Sequence, residues 1–445
     1  MNSSQEGVGK ALLLMFIAFA AVFVYGLLAA LPGSVLPSLG RGGFLPSDKN
    51  IGDFLLLNAM GAVLAYLAGG PIIDRLGKKA ALALGSLLVV GAMTGFAVIV
   101  ARVPPQSALL PLLATSFVLG LGANAIVSAG HALVAHVAST WRNAALNLLD
   151  ICFGLGLAAL PLAVQILQQR GGLELIFWSL ALAAGVLAVL VGSSRFPPAA
   201  HAESFPVHEA TGLLRMPRFW LLAIALFMYV GAEVSVGQWI VSYIERDPQL
   251  LAAMELDAAH IQEMARSDPQ ALSRFFEEDA EGVKLATFAL RTLSLFAFAL
   301  LAGRLVSSFL LGVLRVNSLW LVAAGSAITA VALLAGFTAG NPGAVRWAMI
   351  ATGFGMGPIF PTSVGLASVM APRIPGTAMS LVMGIGFAGL LLIPPAVGYI
   401  SSARGGEAGD LRSGLLIVLA AAVVMLVLHV TLALRQRRHP AKQPQ

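Results

Sequence analysis

With 445 residues, 58% of them hydrophobic and only 11% charged, the chain falls far below the roughly 25% charged content of soluble domains and is excluded from that class. Its formal net charge of +6 is carried by loops and tails around apolar stretches, which assigns it to membrane topology rather than to nucleic-acid binding. The single cysteine, Cys152, excludes an intrachain disulfide and a cysteine-based metal site.

Apolar stretches long enough to cross a bilayer recur along the whole length. Twelve spans are predicted, at 11–36, 52–73, 80–101, 107–136, 143–167, 174–193, 219–244, 285–311, 318–338, 345–370, 376–400 and 411–434. The first is too long for a signal-peptide core and lacks a small-residue cleavage site, so it is expected in the mature protein. With the N-terminus inside, cytoplasmic segments hold 14 Lys and Arg, against 11 outside and two, Arg291 and Arg304, within a span. Several of the outside ones lie in a long acidic insert, which weighs little in the positive-inside rule. Both termini are therefore expected in the cytoplasm, with the protein a monomer in the lipid bilayer of the cytoplasmic (inner) membrane.

The spans read as two copies of one pattern. Residues 119–161 lie over 352–394 without a gap, so that Gly120, Gly122, Gly156 and Pro161 fall on Gly353, Gly355, Gly389 and Pro394. The expected fold is an all-α membrane protein, twelve transmembrane helices in two pseudo-symmetric six-helix bundles. Residues 1–193 form the first bundle, 194–218 a cytoplasmic linker, 219–434 the second bundle, and 435–445 a basic cytoplasmic tail. The second bundle carries an extracytoplasmic insert at 247–281 with nine acids against Arg266 and Arg274. Asp247-Pro248 and Asp268-Pro269 each place a capping acid before a proline in the first helical position, which predicts two short helices there. The insert reads as a solvated elaboration, or as a lid.

Among 21 Asp and Glu residues, only Asp150 and Glu233 are expected well inside spans. Glu233 lies about 15 residues, roughly 22 Å, from the basic end of its span, near the midplane of a hydrocarbon core about 30 Å thick. A carboxylate at that depth costs at least ~2.5 kcal/mol to insert, so it faces a wet cavity or a partner. Arg304 or Arg291 would serve as that partner. Tyr229 and Gly237 share a helical face with Glu233, while Ser235, Gln238, Trp239 and Ser242 form a second polar and aromatic stripe. Gln238 and Trp239 suit a polyol, the amide against hydroxyls and the ring against C–H surfaces. Asn124, Asn147, Tyr229 and Thr362 complete the candidate binding set, and Glu233 and Asp150 are the candidates for proton coupling. His131 and His136 are expected to be solvated near a membrane interface, and His429 to face the bundle or snorkel. The sequence contains no phosphate-binding glycine loop, no supported catalytic triad and no metal-ligand cluster, so neither an enzyme nor a bound cofactor is expected.

The loop Gly70-Pro71-Ile72-Ile73-Asp74-Arg75-Leu76-Gly77-Lys78-Lys79, between the second and third spans, resembles the G-x-x-x-D-R-x-G-R-R signature of the major facilitator superfamily. That resemblance implies the major facilitator fold and a cytoplasmic gate formed around Gly70, Asp74, Arg75, Gly77, Lys78 and Lys79. The stretches 231–243, 359–367 and 394–399 resemble the seventh, tenth and eleventh helices of the fucose, glucose and galactose symporter family. Proton-coupled members of that family carry an Asp in the first helix and a Glu in the fourth. Here the first helix reads Tyr25-Gly26-Leu27-Leu28-Ala29-Ala30 and the fourth Gly120-Leu121-Gly122-Ala123-Asn124, without an acid. The resemblance implies a secondary transporter of a small polar solute, most readily a monosaccharide, moved by proton symport whose coupling acid has relocated. An exporter of amphiphilic compounds and a transport-inactive membrane receptor or scaffold stay open as alternatives.

Overall fold

The computed structural model describes residues 2–138, 142–196, 207–371, 374–406 and 409–438. Within its helices, the side chains of 2–8, 68–75, 142–144, 147, 207–210, 375, 376, 437 and 438 lie outside that description. The described residues form helices and no strand. The first part of the chain holds α1 (Asn2–Arg41), α2 (Asp48–Arg102), α3 (Leu109–Val137) and α4 (Arg142–Ser193). The short α5 (Val207–Leu214) leads into α6 (Pro217–Arg246), followed by α7 (Pro248–Ala253), α8 (Ala258–Ser267), α9 (Pro269–Glu278) and α10 (Ala280–Gly312). The remainder is α11 (Ser318–Thr338), α12 (Pro342–Met356), α13 (Ile359–Met370), α14 (Pro375–Phe387), α15 (Ile393–Gly405) and α16 (Leu411–Arg438).

Ten of these helical stretches are long and apolar enough to cross a membrane. One of them, Leu148–Ser193, is bent at Gly171 and Gly172 into two spans, and the broken pair α12–α13 supplies another, giving the twelve crossings expected. α2 is likewise two spans, divided at Gly77, whose φ of 87° lies in the left-handed region that glycine enters without a Cβ penalty. Just past that bend, Lys79 donates to the carbonyls of Gly192 and Ser194 at 2.8 Å each, capping the C-terminal end of α4 with a cation where its dipole is negative.

The chain divides into two compact units, residues 1–203 with 261–294, and residues 204–260 with 295–445. Glycines at the matched positions make matching helix crossings inside each unit. In the first, Gly120 lies against the backbone at Asn58, Gly122 against Gly85 and Gly156 against Phe23. In the second, Gly353 lies against Phe296, Gly355 against Gly325 and Gly389 against Phe227. A Cβ at any of these six positions would meet backbone, so the shared glycines are what let paired helices approach this closely. The internal repeat is thus present in packing as well as in sequence.

The acidic insert differs from expectation in having three helices, α7, α8 and α9. Asp247 and Asp268 cap α7 and α9 as predicted, each accepting from two backbone amides. The additional helix, α8, starts at Asp257, whose carboxylate accepts from the amides of Ala259 and His260. Lacking a proline after the acid, that start carries no distinctive sequence signal. α9 belongs to the first unit, where the guanidinium of buried Arg41 sits 4.1 Å from the Phe276 ring. α7 belongs to the second unit, where Arg412 of α16 pairs with Asp247 at 3.0 Å and donates to Gln249.

Candidate functional site

α6 starts on Pro217 in the first helical turn and runs apolar to Arg246. Glu233 stands mid-helix, sixteen residues after Pro217 and thirteen before Arg246. Its carboxylate pairs with the Arg304 guanidinium of α10 at 3.8 Å, the two side chains being 15% and 16% exposed. Arg304, and not the exposed Arg291, is therefore the partner. Removing one member of a buried pair costs on the order of 3–5 kcal/mol, because the other is left desolvated and uncompensated. At 3.8 Å the contact is an ion pair without a tight hydrogen bond, and a proton competes with the guanidinium for the same carboxylate.

On α6 and α13, several side-chain polar atoms are buried without a hydrogen bond. One turn before Glu233, the Tyr229 hydroxyl is buried beside both Glu233 and Arg304 and makes no well-formed hydrogen bond. Its ring tilts against Phe360 at 6.3 Å. One turn after Glu233, Gly237 has no atom within 4 Å of where a Cβ would stand, leaving open space on that face. The Gln238 Oε1 and, on α13, the Ser363 Oγ are also buried without a partner. Thr362, beside Ser363, is buried at 6% exposure. Buried polar atoms are nearly always hydrogen-bonded, so unpartnered ones on α6 and α13 mark these two helices as candidates for meeting a ligand or water. Trp239 is placed differently. It is fully buried, and its indole N–H donates to the Pro394 carbonyl of α15 at 3.0 Å, which joins two helices.

Among the described residues, every buried side-chain polar atom without a partner lies outside the first unit. Asn124 donates through Nδ2 to the Gly120 carbonyl at 2.9 Å and accepts from the Tyr25 hydroxyl at 3.3 Å. Tyr25 stacks on Phe153 at 5.5 Å and lies beside the Tyr66 hydroxyl. The two helices that lack the family acids are thus joined by a neutral hydroxyl–amide bond. Asp150 lies 3.4 Å from His131 Nε2, so His131 meets a carboxylate where spacing alone placed it at a solvated interface. The side chains of Asn147, Gly70, Asp74 and Arg75 lie outside the described residues. Of the loop motif, Gly77 forms the bend in α2, Lys79 caps α4, and Lys78 is half-buried.

His429 is fully buried on α16, bonded through Nδ1 to Ser326 Oγ of α11 at 2.8 Å, with Nε2 unpartnered. It faces the bundle and does not snorkel. Tyr25, Tyr66 and His131 carried no signal that sequence spacing could separate from ordinary packing.

A family model described as Major Facilitator Superfamily matches residues 12–253. The chain belongs to the major facilitator superfamily, a family of transporters rather than enzymes. It is 25% identical over 330 residues to Bypass of stop codon protein 6 of Saccharomyces cerevisiae, the match covering 67% of this chain and 63% of that protein. It is 28% identical over 280 residues to a glucose/galactose transporter of Brucella abortus biovar 1 (strain 9-941), covering 58% of this chain and 64% of that one. The match thus spans less than two thirds of either relative. The fold superimposes on the crystal structure of a D-xylose–proton symporter with a TM-score of 0.71, at 12% identity, over 95% of this chain and 97% of that one.

Proposed function

We propose that this protein is a secondary active transporter that moves a small neutral polar solute, most readily a monosaccharide, in symport with protons. The observation that carries the reading is the Glu233–Arg304 pair, a titratable acid and its counter-charge in the middle of apolar helices. Proton binding to Glu233 releases Arg304, and proton loss restores the pair, so occupancy by a proton changes the charge seen by anything bound nearby. The unpartnered Gln238 and Ser363 atoms, with the Tyr229 hydroxyl beside the ion pair, supply hydroxyls and an amide suited to sugar hydroxyls. Similarity to a glucose/galactose transporter and to the fold of a xylose–proton symporter supports the same substrate class. Alternating access between two six-helix bundles, both termini in the cytoplasm, and placement in a cytoplasmic membrane belong to this reading.

The test is uptake of a panel of labelled monosaccharides into proteoliposomes under an imposed pH gradient, acid outside. Gradient-driven accumulation of at least one monosaccharide, abolished by a protonophore, is expected. Absence of uptake for every sugar, with amphiphilic dyes expelled instead, would overturn the sugar assignment in favour of export.

A further inference from the structure

The first unit contains a second titratable pair, and donor–acceptor chemistry dictates its proton content. His131 Nδ1 lies 2.9 Å from the Val127 carbonyl one turn earlier on α3. A carbonyl oxygen only accepts, so Nδ1 must carry a hydrogen. The opposite nitrogen, Nε2, lies 3.4 Å from Asp150 Oδ1 on α4. With Nδ1 protonated, Nε2 of a neutral ring is an acceptor, and an ionised carboxylate is also an acceptor. Two acceptors cannot bond, so one proton belongs between them, on Nε2 or on the carboxyl.

We propose that His131 and Asp150 form a proton-holding site on the cytoplasmic side of the first bundle. Uptake adds one H⁺ to the line between Nε2 and Oδ1, and release returns it to water and leaves a neutral imidazole facing a carboxylate. His131 lies six residues before the end of α3 and Asp150 eight residues after the start of α4, about 9 and 12 Å along their helices. The side chains are 39% and 43% exposed, so neither is sealed inside the first unit.

Among the described residues, the groups that act on the ring are Asp150 and the Val127 carbonyl. On the helices packed against α3 and α4, Tyr25 and Tyr66 engage each other and Asn124, and Lys79 is committed to the α4 terminus. Lys78 lies beside it in the same loop. Arg41, Asp48, Lys49 and Asp53 lie at the opposite ends of α1 and α2. The side chains of Asp74 and Arg75, in the loop preceding Lys78, lie outside the described residues. At the end of α3, His136 is exposed. Asp150 is paired with His131 in the first half of the chain and Glu233 with Arg304 in the second.

The role as a coupling site rests on the symporter reading, whereas the shared proton does not. The experiment is nitrogen-15 NMR of histidine-labelled protein in lipid nanodiscs at pH 7, with His131 assigned by comparison with His131→Gln and the carboxyl state of Asp150 read from carbon-13 shifts. The expected result is a ring protonated at both nitrogens beside an ionised Asp150, or an Nδ1–H ring beside a protonated carboxyl. In Asp150→Asn, the His131 signals should become those of a neutral Nδ1–H ring. A neutral ring beside an ionised Asp150 in the wild type, or a His131 spectrum unchanged by Asp150→Asn, would overturn the proposal. Monodisperse elution and an unaltered His429 signal establish that the variants are folded. Transport failure with an intact shared proton would refute the symporter reading alone.

Discussion

The two units share their helix crossings and differ in what their polar groups do. Gly120, Gly122 and Gly156 of the first repeat in packing as Gly353, Gly355 and Gly389 of the second. Yet in the first unit Tyr25, Asn124, His131 and Asp150 bond to one another or to backbone. In the second, Gln238, Ser363 and His429 each bury an unpartnered atom, the Tyr229 hydroxyl makes no well-formed bond, and Glu233 and Arg304 bury opposite charges. The frame is duplicated while the chemistry has diverged. A buried unpartnered atom costs about 1–3 kcal/mol, and among the described residues that cost falls on the second unit.

The duplicated frame can be broken most severely at its glycines. Gly120→Val and Gly353→Val each drive side-chain atoms into the facing backbone and should each destabilise by on the order of 3 kcal/mol or more. Thermal melts of both variants in detergent check this, and a tolerated Gly353→Val beside a collapsed Gly120→Val would mean that the crossings are not equivalent.

The divergent chemistry is tested by paired amide replacements. Asn124→Leu removes the bond that the Tyr25 hydroxyl donates to Oδ1 and should cost about 1 kcal/mol. Gln238→Leu removes an atom that has no partner and should leave the melting temperature unchanged or higher, while weakening sugar binding at least several-fold. Melting curves and a binding titration on the same preparations separate the two effects. Equal destabilisation by both substitutions would remove the distinction between a satisfied and a poised unit.

The smallest expected effect lies at the start of α16. The Ser413 hydroxyl and amide bonded to Asp410 hold its carboxyl below the usual range, assisted by Arg404 and Arg412. A depressed pKa contributes stability above the unfolded value and loses it as pH falls through the folded one. Acid-side melts should therefore show a slightly shallower pH dependence in Asp410→Asn than in the wild type, and parallel curves would refute that cap.

Span count, the repeat of glycines, the Asp247 and Asp268 caps and the isolation of Glu233 were all legible in the sequence, because each rests on local composition or fixed spacing. Helix azimuth was not. Most spans are apolar all round, so periodicity does not say which neighbour a polar side chain meets. That is why neither the bond from the Trp239 indole to Pro394 nor the approach of His131 to Asp150 across two helices was readable. The Glu233–Arg304 pair was readable only as a choice between two arginines, settled by where α10 places them.

Internal pH is the most direct readout of the proposed coupling of solute to protons at Glu233. Proteoliposomes loaded with a pH-sensitive dye would be given the sugar that accumulates, in wild type beside Glu233→Gln. Sugar-dependent internal acidification in wild type, absent from a Glu233→Gln protein that still exchanges sugar across the membrane, is the predicted result. Undiminished acidification in Glu233→Gln would contradict it.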